Sequence, residues 1–116
     1  MGSVTTVLIV DDHPSFRATA RMLLEAEGYD VVGEAPDGES AVSEVGRLHH
    51  ELVLLDVNLP DTDGFAVAER IRGTPVILIS SRDGADFGSL VQSSGALGFI
   101  PKAELSGAAI AQVLTA

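Results

Sequence analysis

Apolar residues fall along this chain in short runs that end on chemistry-bearing residues. Thr5-Thr6-Val7-Leu8-Ile9-Val10 runs into Asp11-Asp12, and Leu52-Val53-Leu54-Leu55 ends on Asp56. Val76-Ile77-Leu78-Ile79 ends on Ser80-Ser81, and a run around Leu97 to Ile100 leads to Lys102. Between such runs the apolar period changes from strand-like to helical. The pattern predicts strands at Thr6–Val10, Asp30–Ala35, Leu52–Asp56, Pro75–Ser80 and Leu97–Ile100.

The first helix is expected from Pro14, a residue suited to a first turn, with Phe16, Ala20, Leu23 and Leu24 on one face and Gly28 as its stop. Asp37 is placed to cap the second helix, whose stripe is Val42, Val45 and Leu48. The third helix is read at Phe65–Ile71 after the turn-rich loop Asn58-Leu59-Pro60-Asp61-Thr62-Asp63-Gly64. The fourth is read at Ala85–Ser94 with Phe87, Leu90 and Val91 inward, and the fifth at Leu105–Leu114 with Ile110, Val113 and Leu114 inward.

Strands alternating with helices indicate βαβ units around a parallel sheet. Right-handed crossovers and five such units predict an α/β fold, a flavodoxin-like (βα)5 doubly wound parallel sheet of strand order 2-1-3-4-5. The switch point then lies between strands one and three, and ligands bind outside the carboxyl ends of the strands. Asp11, Asp12 and Asp56 would sit side by side there.

The chain has 116 residues, enough for one domain with one core. Hydrophobic residues make up 46% and aromatics only 4%, so the core must be built from Val, Leu, Ile and Ala. Seventeen acids against seven bases give a net charge of −10, which argues against nucleic-acid binding by this chain alone and against an anionic membrane surface. Without cysteine, disulfides and thiolate metal sites are excluded. No apolar stretch reaches the roughly 18 residues of a membrane span, and no signal peptide pattern precedes the first strand, so a cytoplasmic protein is expected.

One pocket would therefore receive three carboxylates, two hydroxyls and one ammonium. Each residue alone has a plain explanation: an Asp can cap or turn, a Ser can line a loop, a Lys can be solvated. Their concurrence on successive strand ends is the informative feature. Clustered carboxylates repel and call for a cation, and hard oxygen donors favour Mg²⁺, with Mn²⁺ as a substitute, over zinc. His13 is expected to serve the loop or cap rather than a metal, and His49-His50 is expected to be an exposed loop pair.

Val10-Asp11-Asp12-His13-Pro14, Leu54-Leu55-Asp56-Val57-Asn58-Leu59-Pro60 with Asp63-Gly64, Ile79-Ser80-Ser81, and Gly95-Ala96-Leu97-Gly98-Phe99-Ile100-Pro101-Lys102 follow in order. This series resembles the receiver domain of two-component response regulators, over essentially the whole chain. The resemblance implies one receiver domain over residues 1–116, with Asp56 as phosphoacceptor for a sensor histidine kinase. It implies Mg²⁺ held by Asp12 directly, Asp11 through water, Asp56, and the Asn58 carbonyl. Ser80, the Ser81 N–H and Lys102 would bind phosphoryl oxygens, and Ser80 and Phe99 would form the switch. Such a domain is not an enzyme beyond its own phosphorylation and dephosphorylation.

Asp-Asp-His-Pro is also similar to the opening of regulators with a LuxR-type helix-turn-helix output domain, which implies transcription regulation. No such domain lies in these residues, so a free-standing or an excised receiver is expected. Homodimerisation on phosphorylation is expected at the face of helix four, strand five and helix five. Ser81, where the family often has Ala or Gly, Ala103 in place of a common Pro, and the short link Arg72-Gly73-Thr74 depart from the usual pattern. A pseudo-receiver that acts without phosphorylation is the first alternative, although such proteins usually lack an acid or the Lys. An Asp-nucleophile phosphohydrolase is the second, and it would need a second acid where Asn58 stands. A nucleotide-binding reading fails because no Gly-rich phosphate motif follows strand one.

Overall fold

A computed structural model supplies the structure and describes residues 5–81 and 87–115. Five strands, β1 (Thr6–Val10), β2 (Asp30–Ala35), β3 (Leu52–Asp56), β4 (Val76–Ser80) and β5 (Gly98–Pro101), form one sheet of order β2-β1-β3-β4-β5. Every pairing is parallel. Helices α1 (Pro14–Ala26), α2 (Gly38–Arg47), α3 (Gly64–Arg70) and α4 (Leu90–Ser93) lie in the crossovers, and α5 (Gly107–Leu114) follows β5. The expected fold class and strand order are both observed.

The central strands are buried on both faces, as parallel strands flanked by helices must be. Alternate residues supply two cores. Val7, Ile9, Leu52, Leu54, Ile77 and Ile79 face one side with Leu24 of α1 and Ile110 of α5. Leu8, Val10, Val53, Leu55, Val76 and Leu78 face the other with Ala41 of α2 and Val67 of α3. β2 is an edge strand and alternates buried with exposed positions, which explains why its sequence is less uniformly apolar.

Helix boundaries follow local chemistry. Pro14 opens α1, and Asp37, Asp63 and Ser106 cap α2, α3 and α5 by accepting the N–H of Ser40, Ala66 and Ala109. Gly28 takes a φ of 95°, the left-handed conformation that ends α1 with little steric cost.

Several expectations need correction. α4 is a single turn, and Leu90 points outward with 51% exposure while Phe87 and Val91 pack on the core. The expected start of that helix, Ala85, lies outside the described residues. Leu97 precedes β5 and is exposed, because the strand runs one residue later. Leu105 is buried in the turn before α5, whereas Leu114 at the helix end is solvent-facing. Leu48 follows α2 as its C-cap and is exposed, so Ala41 rather than Leu48 anchors that helix. His50 is not an exposed loop residue: it is only 6% exposed, with neither ring nitrogen hydrogen-bonded among the described residues.

Candidate functional site

The carboxyl ends of β1 and β3 lie side by side, with Val10 paired to Leu55. Asp11 and Asp56 follow from that register, one just past β1 and one at the last position of β3. Each aspartate bends the chain off its strand in the same way. Asp11 Oδ1 accepts the N–H of His13 at 2.8 Å, and Asp56 Oδ1 accepts the N–H of Asn58 at 3.1 Å. These Asx turns need a short carboxylate side chain, which gives aspartate a geometric reason to stand at both ends.

β5 brings the cation. Its last residue, Pro101, pairs with Ser80 of β4, and Lys102 follows. Lys102 Nζ donates to Asp56 Oδ2 at 3.2 Å and stands 2.5 Å from Asp11 Oδ2. Its ammonium also lies 4.5 Å from the centroid of the Phe16 ring on α1. Asp11 and Asp56 are almost wholly buried.

The electrostatics follow from burial and one shared cation. Burial pushes the Asp56 carboxyl up, and the Asp11 charge adds to this, more than the Asn58 N–H and Lys102 offset. Burial also acts upward on Asp11, but Lys102 and the His13 N–H prevail and hold it below the ordinary carboxylate range. Burial would depress Lys102, yet its two carboxylate partners raise it, so it remains an ammonium.

Asp12 is partly open to solvent, and its Oδ1 lies 3.1 Å from His13 Nδ1. Ligand atoms of Asp11, Asp12, His13 and Asp56 lie within 4.8 Å of one another. Three carboxylates against one ammonium leave two negative charges. This oxygen-rich, doubly negative set fits a hard dication such as Mg²⁺.

A cavity of about 210 Å³ opens over the cluster, lined by Asp12, His13, Asp56, Asn58, Leu59, Pro60, Ser81 and Lys102. Ser81 is therefore on the cavity wall. Ser80 is buried at the end of β4 and does not line it. Phe99 is partly buried on β5, its ring 5.4 Å from that of Phe87, which in turn lies 5.5 Å from Phe65. Arg82-Asp83-Gly84, which follows Ser81 in the sequence, lies outside the described residues.

The loop after β3 is tied to its surroundings. Asp61 accepts the N–H groups of Gly38 and Glu39 at the start of α2, at 2.8 and 3.0 Å. These bonds hold the Asp61 carboxyl below its ordinary range. Sequence reading singled out Asp11, Asp12, Asp56, Asn58, Ser81 and Lys102 at this end of the sheet but not Phe16, Arg17 and Asp61, and it gave His13 a loop or cap role. His13 does occupy the N-cap of α1 without a side-chain capping bond, its ring turned to the acids instead. A basic residue six positions after Asp11, on a helix leaving the same strand end, was the available signal for Arg17.

Comparison with known proteins points in one direction. Residues 7–114 match the response regulator receiver domain family. The virulence-factor transcription regulator BvgA of Bordetella pertussis is 36% identical over 102 residues, 84% of this chain and 49% of that protein. The chain spans about half the length of curated relatives such as BvgA. The receiver domain of the response regulator NarL from Mycobacterium tuberculosis superposes with a TM-score of 0.85 at 31% identity, covering 99% of this chain and 100% of that one. A structure of the CheX–CheY–BeF3–Mg²⁺ complex from Borrelia burgdorferi gives a TM-score of 0.83 at 28% identity, covering 96% of this chain and 87% of that chain.

Proposed function

Because this chain belongs to the response regulator receiver domain family of two-component systems, we propose that it is a phosphorylation-controlled switch with Asp56 as its phosphoacceptor. The observation that carries this reading is the Asp56 carboxylate, buried at a strand end, held by Asn58 and Lys102 and facing a cavity beside Asp12. Its donor is the phosphohistidine of a sensor kinase. One Asp56 oxygen attacks phosphorus, the new P–O bond forms as the P–N bond breaks, and the departing imidazole nitrogen takes a proton.

The chain's own groups prepare that step. The Asn58 N–H fixes one oxygen of Asp56 and Lys102 holds the other, so the nucleophile cannot turn away. Lys102 then pairs with a phosphoryl oxygen, with the Ser80 hydroxyl and Ser81 N–H as further donors. Asp12 would hold Mg²⁺ directly and Asp11 through water, with Asp56 and the Asn58 carbonyl as the protein's other ligands. A Mg²⁺ held there would supply positive charge against the transferring oxygens. The domain performs no chemistry beyond gaining and losing its own phosphoryl group.

Phosphorylation then biases Ser80 and Phe99 and alters the face of α4, β5 and α5. Leu90 and Leu97 are exposed in this region, which suits self-association of the phosphorylated form. Relatives named as transcription regulators support control of transcription through a DNA-binding output, because a chain of charge −10 offers phosphate no basic face of its own. Incubation with acetyl phosphate and Mg²⁺ tests the reading. Intact mass rises by one phosphoryl group, chelation prevents the rise, and Asp56→Asn abolishes it. Equal labelling of the Asn variant would overturn the assignment.

A further inference from the structure

Arg17 on α1 makes two bonds of different kinds. Its Nε donates to Glu34 Oε1 at 2.9 Å, and its Nη1 donates to the main-chain oxygen of Asp11 at 2.6 Å. Glu34 lies on the edge strand β2, and its second oxygen is taken by Arg21 Nε at 2.9 Å. Arg17 thus bridges an acid on the sheet edge to the carbonyl that begins the peptide between Asp11 and Asp12.

Holding that oxygen fixes a peptide plane, since the peptide unit is rigid. The plane sets the direction in which the Asp12 side chain leaves the backbone. The other side of Asp11 is already fixed, its N–H donating to Ala35 O at 3.0 Å. The Asp12 carboxylate itself is partly exposed, with His13 Nδ1 3.1 Å away. Its aim toward Asp56 therefore depends on the backbone. We infer that Arg17, braced by Glu34, is a positioning residue for the metal site: it locks the Asp11–Asp12 peptide so that the Asp12 carboxylate faces Asp56 before a cation arrives. This rests on the reading above that the acidic cluster takes Mg²⁺. Arg17 supplies no ligand, and its own charge is committed to Glu34.

A plain stapling of α1 to β2 is the competing role, and Arg21 separates the two. Arg21 also bonds Glu34 and also donates to a strand carbonyl, Val31 O at 3.0 Å, but it does not touch the acidic loop. Mn²⁺ and Mg²⁺ affinities are measured by calorimetry on the full chain, with thermal midpoints in EDTA and amide NMR spectra of the metal-free protein. Arg17→Met is expected to weaken metal binding about tenfold, in the range seen when groups orienting a ligand are lost. It should also shift the Asp12 and His13 amides. Arg21→Met lowers the midpoint comparably but leaves metal affinity near the wild-type value, short of the roughly tenfold loss that marks an orienting group. Glu34→Gln, a same-shape change on the edge strand, weakens metal binding in the same direction and stands in if Arg17→Met does not fold. Equal metal affinity in the Arg17 and Arg21 variants, or an unchanged affinity in Glu34→Gln when Arg17→Met cannot be measured, overturns the positioning role alone. A wild-type chain that binds neither ion overturns the metal reading and this inference with it.

Discussion

Gly64 packs its α carbon against the main-chain carbonyl of Asp56. A β carbon at position 64 would overlap that oxygen and would approach the Val57 α carbon to 3.0 Å. The Gly64 N–H donates to Val57 O at 2.7 Å, so the start of α3 is clamped onto the strand end that carries the site. The neighbour that would have to move is backbone, which cannot swing aside as a side-chain tip can. Gly64→Ala is therefore expected to cost about 1–3 kcal/mol. Urea unfolding measures this, and Mg²⁺ affinity should fall with it because Asp56 is displaced. Wild-type values for both would mean that the clamp is slack.

Asp56→Asn should raise stability in the absence of metal. The Asp56 carboxyl titrates above its ordinary value, chiefly through burial and then through the charge of Asp11. A carboxyl raised in the folded state favours folding below its unfolded-state value, and that benefit is lost as pH rises through the folded one. At pH 7 the ionised group is thus a burden that asparagine removes. Melting in EDTA should show a higher midpoint for the variant at pH 7, with the difference shrinking in acid. A lower midpoint at pH 7 would mean that the bond to Lys102 outweighs burial.

Asp12→Asn should lose more metal affinity than Asp11→Asn. Asp12 lines the cavity, whereas Asp11 is sealed beneath it and bound to Lys102. A loss of about tenfold is expected for Asp11 as a water-linked group, and a larger one for Asp12. Mn²⁺ titration decides the order, and the reverse order would exchange their roles.

His50 makes the fold acid-sensitive from the far side of the core. Burial drives its pKa down, while the nearby Glu44 carboxylate and Leu48 carbonyl oppose this without restoring it. The unfolded chain then binds a proton that the folded one refuses. Stability is full above the unfolded value near 6.5 and is lost as pH falls below it, at no more than about 1.4 kcal/mol per pH unit from this group. Urea midpoints between pH 7.5 and 5.5 should drop, and His50→Leu should flatten that drop. An identical slope in the variant would place the sensitivity elsewhere.

Beryllofluoride with Mg²⁺ should act at a distance. The Phe99 ring lies tilted against that of Phe87, and Phe87 meets Phe65 edge to face, so a turn of the Phe99 ring must disturb a three-ring series spanning β5, the approach to α4 and α3. Amide shifts are expected across residues 80–105 and at Phe65, as well as around Asp56. Shifts confined to the neighbours of Asp56 would indicate a domain that binds a phosphoryl mimic without switching.

The sequence by itself determined the sheet and the inventory of the site. Val7–Val10, Leu52–Leu55 and Val76–Ile79 are apolar at every position, and only strands covered on both faces use such runs. Their shared direction then brings Asp11, Asp12, Asp56, Ser81 and Lys102 to one end, whatever the side chains do. The Asp37 cap of α2 was legible because it is closed within three residues.

Tertiary structure decided how those groups pair. Arg17 meets Glu34 across 17 positions and Lys102 meets Asp56 across 46, and no local period encodes such distances. Burial acts upward on both acids, and Lys102, closer to Asp11 than to Asp56, leaves the first lowered and the second raised, which depends on how β5 seats beside β4. Leu90 turned outward and His50 inward for the same reason. A short helix and a strand entry have too few residues for periodicity to fix their facing, so the packing of neighbouring elements chooses which side chain loses its water.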